Sequence, residues 1–333
     1  MAHSYTQKEI TRITRHFGLI PLRAVPVSSL YRRNAVFQVT TGTGTYALKP
    51  FRRSEASGTN TNQQIKTTVR HIKLLTSKKY AHMPRWVRTS TGRFWVELKG
   101  TPFYMTEWIQ GRGLGLAQDY TALGRALADL HLVPLASPPK NNSSILGYIP
   151  QWKVEAGNFQ EYMAAVIRKK GRHSGWYKSN GPACNRLSKQ AWTYFKKPSI
   201  ARLIIKDARH PSLVHSDITS LNVVISEGGH LYIIDWDRVK VGSSYLDMAK
   251  ALRNTCQYNP EFIRSFLRGY EEIRPLSRSE RKLITLLFSL PQEAWNGARF
   301  PHRSKNREMM DIFVRTWPER KQAIRVLQKW SHF

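Results

Sequence analysis

Between positions 213 and 237 the chain reads LVHSDITSLNVVISEGGHLYIIDWD, and three of its side chains have the types and spacing for metal-assisted phosphate chemistry. A hard ion such as Mg2+ takes oxygen ligands, and at nucleotide sites one or two carboxylates hold it while phosphates supply the remainder. Asn222 and Asp235 are donors of that kind. Phosphoryl transfer asks little covalent chemistry of a protein, so a carboxylate that orients the attacking hydroxyl and accepts its proton completes the set. Asp217, five residues before Asn222, suits that task. Taken singly, Asp217 could do no more than close an Asx turn, and Asn222 could be a polar residue at a strand start. Asp235, at the end of the apolar run Tyr232-Ile233-Ile234, is harder to read that way. Jointly the three point to a magnesium-nucleotide site.

The elements that must position them are short. Leu213 and Val214 form an apolar strand, a polar loop follows, and two arms, 221–226 and 230–234, flank Gly228-Gly229. That pair tolerates the positive φ angles of a tight hairpin turn. With those two residues as the turn, Asn222 faces Asp235, and a longer turn slips the register by a residue or two.

Earlier in the chain, 3–18 has the spacing of a short helix, and β-like runs at 30–39 and 45–51 surround Thr40-Thr41-Gly42-Thr43-Gly44. Strand alternation puts Ala47 and Lys49 on one face and Tyr46 and Leu48 on the other. By residue type alone Lys49 is a solvated strand lysine. A helix is predicted over 60–78 from Ile65, Val69, Ile72 and Leu75; it contains no acid, and its nearest polar candidates are Gln63, Gln64 and His71, with Glu55 in the loop before it. Next come a strand at 103–109, an amphipathic helix at 117–133, a loop over 134–151 rich in Pro, Asn and Ser, and helical stripes through 260–333.

His215-Ser216-Asp217, Asn222 and Ile234-Asp235-Trp236-Asp237 together resemble the signature of the aminoglycoside phosphotransferase and choline kinase superfamily, a branch of the protein-kinase-like fold. With Tyr46-Ala47-Leu48-Lys49, the stretch YMTEWIQGR at 104–112 and Leu127-Ala128-Asp129-Leu130-His131, the likeness extends to the CotS-type spore-coat kinase-like proteins of endospore-forming bacteria. This resemblance implies an α+β, bilobal fold: a small β-rich N-lobe (1–108) and a larger helical C-lobe (109–333) with the catalytic loop, metal site and acceptor-binding helices. It implies ATP and Mg2+, with Lys49 on the α- and β-phosphates, Thr106 at the back of the nucleotide pocket, and the main chain of Glu107 and Ile109 at the adenine edge. Asp217 would be the base, and Asn222 and Asp235 the metal ligands. His131, His215 and Asp247 would be structural residues around the catalytic loop. Two departures stand out. No GxGxxG loop precedes Lys49, so phosphate cover would come from 28–34, with Arg32 or Arg33. The helix at 60–78 also lacks the glutamate that pairs with the strand lysine in kinases.

Composition narrows the partners. Lys and Arg number 53 against 22 Asp and Glu, a formal charge of +31, which favours polyanions and works against capture of a cation. A neutral or acidic acceptor is therefore expected, with acidic coat proteins or other polyanions as partners. From 168 to 209 twelve Lys or Arg stand against Asp207 alone, interleaved with aromatics, although no nucleic-acid-binding module is present. A polar start, apolar runs too short to span a bilayer and two cysteines lead to the expectation of a cytoplasmic protein, associated with the spore coat by resemblance. Two functions fit: an ATP- and Mg2+-dependent phosphotransferase acting on an alcohol, or a weak or inactive kinase-fold scaffold that binds acidic partners.

Overall fold

Ile10, Ile13 and Phe17, three and four residues apart, give the first helix, α1 (Gln7–His16), its apolar stripe. Thr6 and Glu9 close its N-terminus as a reciprocal capping box. The computed structural model describes residues 5–27, 36–51, 61–135 and 144–332. The 28–34 stretch with Arg32 and Arg33, and Glu55, fall outside the described residues. The chain folds as two compact units, Met1–Gly113 with Leu221–Val239, and Leu114–Ser220 with Lys240–Phe333. A β-sheet N-terminal region and a helical C-terminal part make this the α+β architecture expected.

In the first unit β1 (Pro21–Val27), β2 (Val36–Thr41), β3 (Gly44–Pro50), β4 (Val96–Leu98) and β5 (Thr101–Glu107) form an antiparallel sheet in the order β1-β2-β3-β5-β4. Alternation works as predicted on β3: Tyr46 and Leu48 join Phe37, Val39, Phe103 and Met105 in a core closed by Ile10, Ile13 and Phe17 of α1. Lys49 is left on the opposite face, directly across from Tyr104. Helix α2 (Thr61–Ser77) buries Ile65, Ile72 and Leu75. A second sheet joins β6 (Gly111–Arg112), β8 (Val223–Ser226) and β9 (Leu231–Ile233). A Cβ on Gly111 would collide with the carbonyl of Ile225, so only glycine lets β6 lie this close.

In the second unit β7 (Ser212–Val214) pairs antiparallel with β10 (Lys240–Gly242). The other elements of that unit are helices: α3 (Ala117–His131), α4 (Ile145–Arg168), α5 (Ser174–Phe195), α6 (Pro198–Arg209), α7 (Ser244–Thr255), α8 (Pro260–Ile273), α9 (Arg278–Ser289), α10 (Gln292–Arg299), α11 (Ser304–Arg315) and α12 (Trp317–Trp330). Helices α3 and α8 cross at bare glycines: a Cβ on Gly124 would strike the Phe266 carbonyl, and one on Gly269 that of Thr121. The loop expected over 134–151 is corrected in its second half, where α4 begins at Ile145. Pro150 reads as a breaker, yet α4 continues through it: it is the sixth residue of the helix, beyond the four N-terminal N–H groups that lack an intrahelical partner. Among the described residues no helix is long and apolar enough to cross a membrane.

Candidate active site

The hairpin that carries Asn222 and Asp235 is one residue out of the predicted register. Val223 pairs with Ile233, Val224 with Tyr232 and Ile225 with Leu231, so Asn222 faces Ile234 and accepts its N–H at 2.9 Å. The turn is longer than Gly228-Gly229 alone: Gly229 N–H bonds to the Ser226 carbonyl and Gly229 takes φ +78°. A three-residue loop with a left-handed glycine closes the arms instead of a two-residue one. The slip leaves Asp235 one position beyond its expected partner, just past the end of β9.

Asp235 itself adopts φ 69°, ψ 53°, a left-handed conformation uncommon outside glycine but several-fold enriched in aspartate. Its carboxylate is buried and meets Lys49 Nζ at 2.6 Å. The Tyr104 hydroxyl lies 3.5 Å from the same oxygen, Oδ1. Tyr104 is fixed by a stack on Trp86, 4.5 Å between centroids and 11° between planes, and by Phe51 at 4.7 Å. Sequence reasoning missed Tyr104. Its signal was its place opposite Lys49, which puts both side chains on one face of the sheet.

Helix α2, with no acid to offer Lys49, uses its inward polar residues elsewhere. Thr68 donates its hydroxyl to the Asp237 carbonyl at 3.4 Å, and His71 Nδ1 lies 3.3 Å from the Val239 carbonyl. Burial pulls the His71 pKa below the ordinary histidine range, so the ring is neutral and donates from Nδ1. The helix thus holds the segment following Asp235.

Of the remaining predicted nucleotide-binding residues, Thr106 is half-buried opposite Ala47, and Glu107 is exposed with its N–H donated to the Arg85 carbonyl at 2.8 Å. Ile109, half-buried, follows β5; among the described residues no hydrogen bond engages its N–H. Lys49, Thr106, Glu107, Ile109, Asn222 and Asp235 therefore all belong to the first unit.

Asp217 belongs to the second unit, in the loop after β7, and there the predicted structural residues converge. Asp247, near the start of α7, accepts the main-chain N–H groups of His215 at 3.2 Å and Ser216 at 3.0 Å. Ser216 has φ 70°, a strained turn that these two bonds fix. The Asp217 N–H points to His215 Nδ1 at 3.3 Å, and Asn254 of α7 donates to the Ile218 carbonyl at 3.3 Å. His131 donates from Nε2 to Asp247 at 3.3 Å, while its Nδ1 accepts from the Tyr270 hydroxyl at 2.8 Å. Arg274 donates to that hydroxyl at 2.8 Å and to Glu280 at 3.2 Å. Burial works to raise the Asp247 pKa, but the hydrogen bonds and charges around it outweigh that and hold it below the usual carboxylate range. Burial lowers that of His131. The pair is therefore a carboxylate beside a neutral imidazole.

The donor chemistry fits a magnesium ion that shares its coordination with phosphates. Among the described residues no group of three or more His, Cys, Asp or Glu side chains could hold an ion alone. One buried carboxylate and one amide on adjoining hairpin positions leave phosphates to supply the remaining oxygens, and Lys49 shows that the carboxylate already attracts a cation.

Comparison with known proteins gives the same direction. Residues 26–283 match the sequence model of the phosphotransferase enzyme family. An aminoglycoside phosphotransferase from Alicyclobacillus acidocaldarius subsp. acidocaldarius DSM 446 shares the fold with a TM-score of 0.82 at 14% identity, covering 100% of this chain and 98% of that one. Spectinomycin phosphotransferase APH(9)-Ia, solved with ADP and spectinomycin, aligns with a TM-score of 0.63 at 16% identity over 98% of each chain. Choline kinase LicA from Streptococcus pneumoniae aligns at 0.51 and 16% identity, over 98% of this chain and 100% of its own.

Proposed function

Because the chain belongs to the phosphotransferase enzyme family, we propose that it moves the γ-phosphoryl group of ATP to an alcohol, with Mg2+ as the metal. The observation that carries the reading is the strand lysine and the hairpin carboxylate brought to 2.6 Å, with Asp235 buried in a left-handed turn. The ADP complex of the spectinomycin phosphotransferase, a protein of the same fold, supports nucleotide as the donor.

The roles divide as follows. Asp217 orients the acceptor hydroxyl and takes its proton while the hydroxyl oxygen bonds to the γ-phosphorus; the bond from that phosphorus to the β–γ bridging oxygen breaks, and ADP leaves. Lys49 exchanges Asp235 for the α- and β-phosphates. Asn222 and Asp235 would hold Mg2+, which would supply charge withdrawal from the phosphate oxygens. The Glu107 N–H is already used by Arg85, so the adenine edge is met by the Glu107 carbonyl and the Ile109 main chain, with Thr106 behind.

A second reading keeps the fold and drops the turnover: a scaffold at the bacterial spore coat that binds acidic partners. The absence of any acid in α2 favours it, since among the described residues Lys49 has no helix partner and pairs with the proposed metal-binding carboxylate instead. The spore-coat connection rests on the CotS-type resemblance in both readings. Replacing Asp217 with Asn separates them. As an enzyme the protein loses about 10²–10⁴-fold in transfer while MgATP affinity is kept; turnover equal to wild type removes Asp217 as the base, and no MgATP binding in either form selects the scaffold.

A further inference from the structure

The acceptor leaves a trace on α7. Asp247 and Asn254, seven residues apart, both reach the 215–218 loop, so that face of α7 is turned to the segment bearing Asp217. At about 100° per residue, Lys250 lies within about 60° of Asp247 and about 40° of Asn254 on the helix wheel, on the same face. Its Nζ sits 5.9 Å from the ring centroid of Tyr148 in the first turn of α4. That ring is braced by a stack on Trp152, 5.4 Å between centroids and 13° between planes. Lys250 is half-buried, and burial draws its pKa below the ordinary lysine range; Asp247 opposes the shift, Lys240 and Arg253 add to it, and Asp217 opposes it.

The acids that could welcome a cation here are spent or few. Asp247 is committed to two main-chain N–H groups and His131. Glu155 of α4 is buried between Gln151 and Arg299. Asp207 is buried and burial pushes its pKa up to about 7. Across α5, α6 and their flanks, all twelve basic side chains from Arg168 to Arg209 are exposed, and the single acid in that stretch is the buried Asp207.

Resting on the phosphotransferase reading above, we propose that Lys250 and Tyr148 form an acceptor-recognition corner beside Asp217, and that the acceptor is an alcohol bearing an anionic group, a carboxylate or a phosphate. Lys250 pairs with that group, Tyr148 packs against the carbon skeleton, and Asp217 receives the hydroxyl proton. A quaternary or primary ammonium placed there would meet Lys250 at close range, which selects against choline-like and aminoglycoside-like acceptors.

The test measures acceptor-dependent ADP release and phosphorylated product with four probes: glycerol, D-glycerate, glycerol 3-phosphate and choline. Wild type is expected to use one or both anionic probes at least tenfold better in kcat/KM than glycerol or choline, and the comparison of glycerate with the phosphate distinguishes the two anions. Lys250→Gln is expected to raise KM for the anionic probe at least tenfold with a smaller change in kcat. Lys250→Glu is expected to reverse the order and favour choline, a gain that misfolding cannot imitate. Equal use of all four probes, or preference for choline by wild type, overturns the inference while leaving the phosphotransferase intact. Absence of MgATP binding in wild type overturns both.

Discussion

The corner around Asp235 and the loop around Asp217 are built in opposite ways. Asp235 meets Lys49 at 2.6 Å and the Tyr104 hydroxyl at a long 3.5 Å, just past the end of a hairpin arm. The loop of Asp217 is fastened by Asp247 through two main-chain N–H groups, by Asn254 through the Ile218 carbonyl, and by a chain running from His131 through Tyr270 and Arg274 to Glu280. Under the roles proposed above, the difference follows from the work each would do. As the proposed metal ligand, Asp235 would trade a lysine for an ion and so needs a counter-ion it can release, whereas Asp217, as the proposed base, would have to stand where its proton arrives, in an over-determined loop.

The largest effect expected from breaking this contrast is at Asp247. Asp247→Ala leaves buried main-chain donors and His131 without their acceptor, and the loss is about 3–5 kcal/mol, read as a shifted denaturation midpoint with the same slope. A loss below about 1 kcal/mol would show that the loop holds itself and that the two regions do not differ.

A pH effect comes next, at Asp207 on α6. Its carboxyl is buried with one oxygen lacking a partner among the described residues, and burial raises its pKa from the model-peptide value to about 7. The folded state therefore holds a proton that the unfolded chain has lost between roughly pH 4 and 7, so stability declines as pH rises through that window. Asp207→Asn is expected to flatten the decline, worth on the order of a few kcal/mol at pH 8 and little near pH 4. Identical pH profiles in thermal melts of the two proteins would exclude it. This sharpens the contrast, because Asp207 is a buried acid that does not serve the loop.

The smallest effect is at Tyr104. Its 3.5 Å contact with Asp235 is long for an O–H···O bond, and the ring is held by Trp86 and Phe51 regardless. Tyr104→Phe should cost about 0.5–1.5 kcal/mol of stability at most and leave MgATP affinity within about threefold. A tenfold or greater loss of affinity would mean that Tyr104, and not Lys49 alone, governs the corner.

How far the sequence could be read follows the same divide. Strand alternation was enough to put Lys49 opposite the face carrying Tyr46 and Leu48, because one side of the sheet is a closed core and a register error would bury the lysine there. The loop anchors His131, His215 and Asp247 were legible through three separate stretches that carry the family resemblance. The hairpin register was not, since a turn containing Gly228 and Gly229 closes with two or three residues and the local sequence does not choose. Tyr104 and Lys250 were missed for a related reason: each acts through a partner on another element, across a strand pair or along a helix face, and neither residue type marks its role. The start of α4 was hidden because Pro150, which reads as a helix breaker, lies inside the helix.

The most direct test of the central claim is calorimetric titration of ATP into the full chain with and without Mg2+, beside Asp235→Ala. The account predicts binding that strengthens at least tenfold with Mg2+ in the wild type and loses that dependence in the variant. Binding that ignores the metal, or is equally metal-dependent when Asp235 is gone, would contradict it.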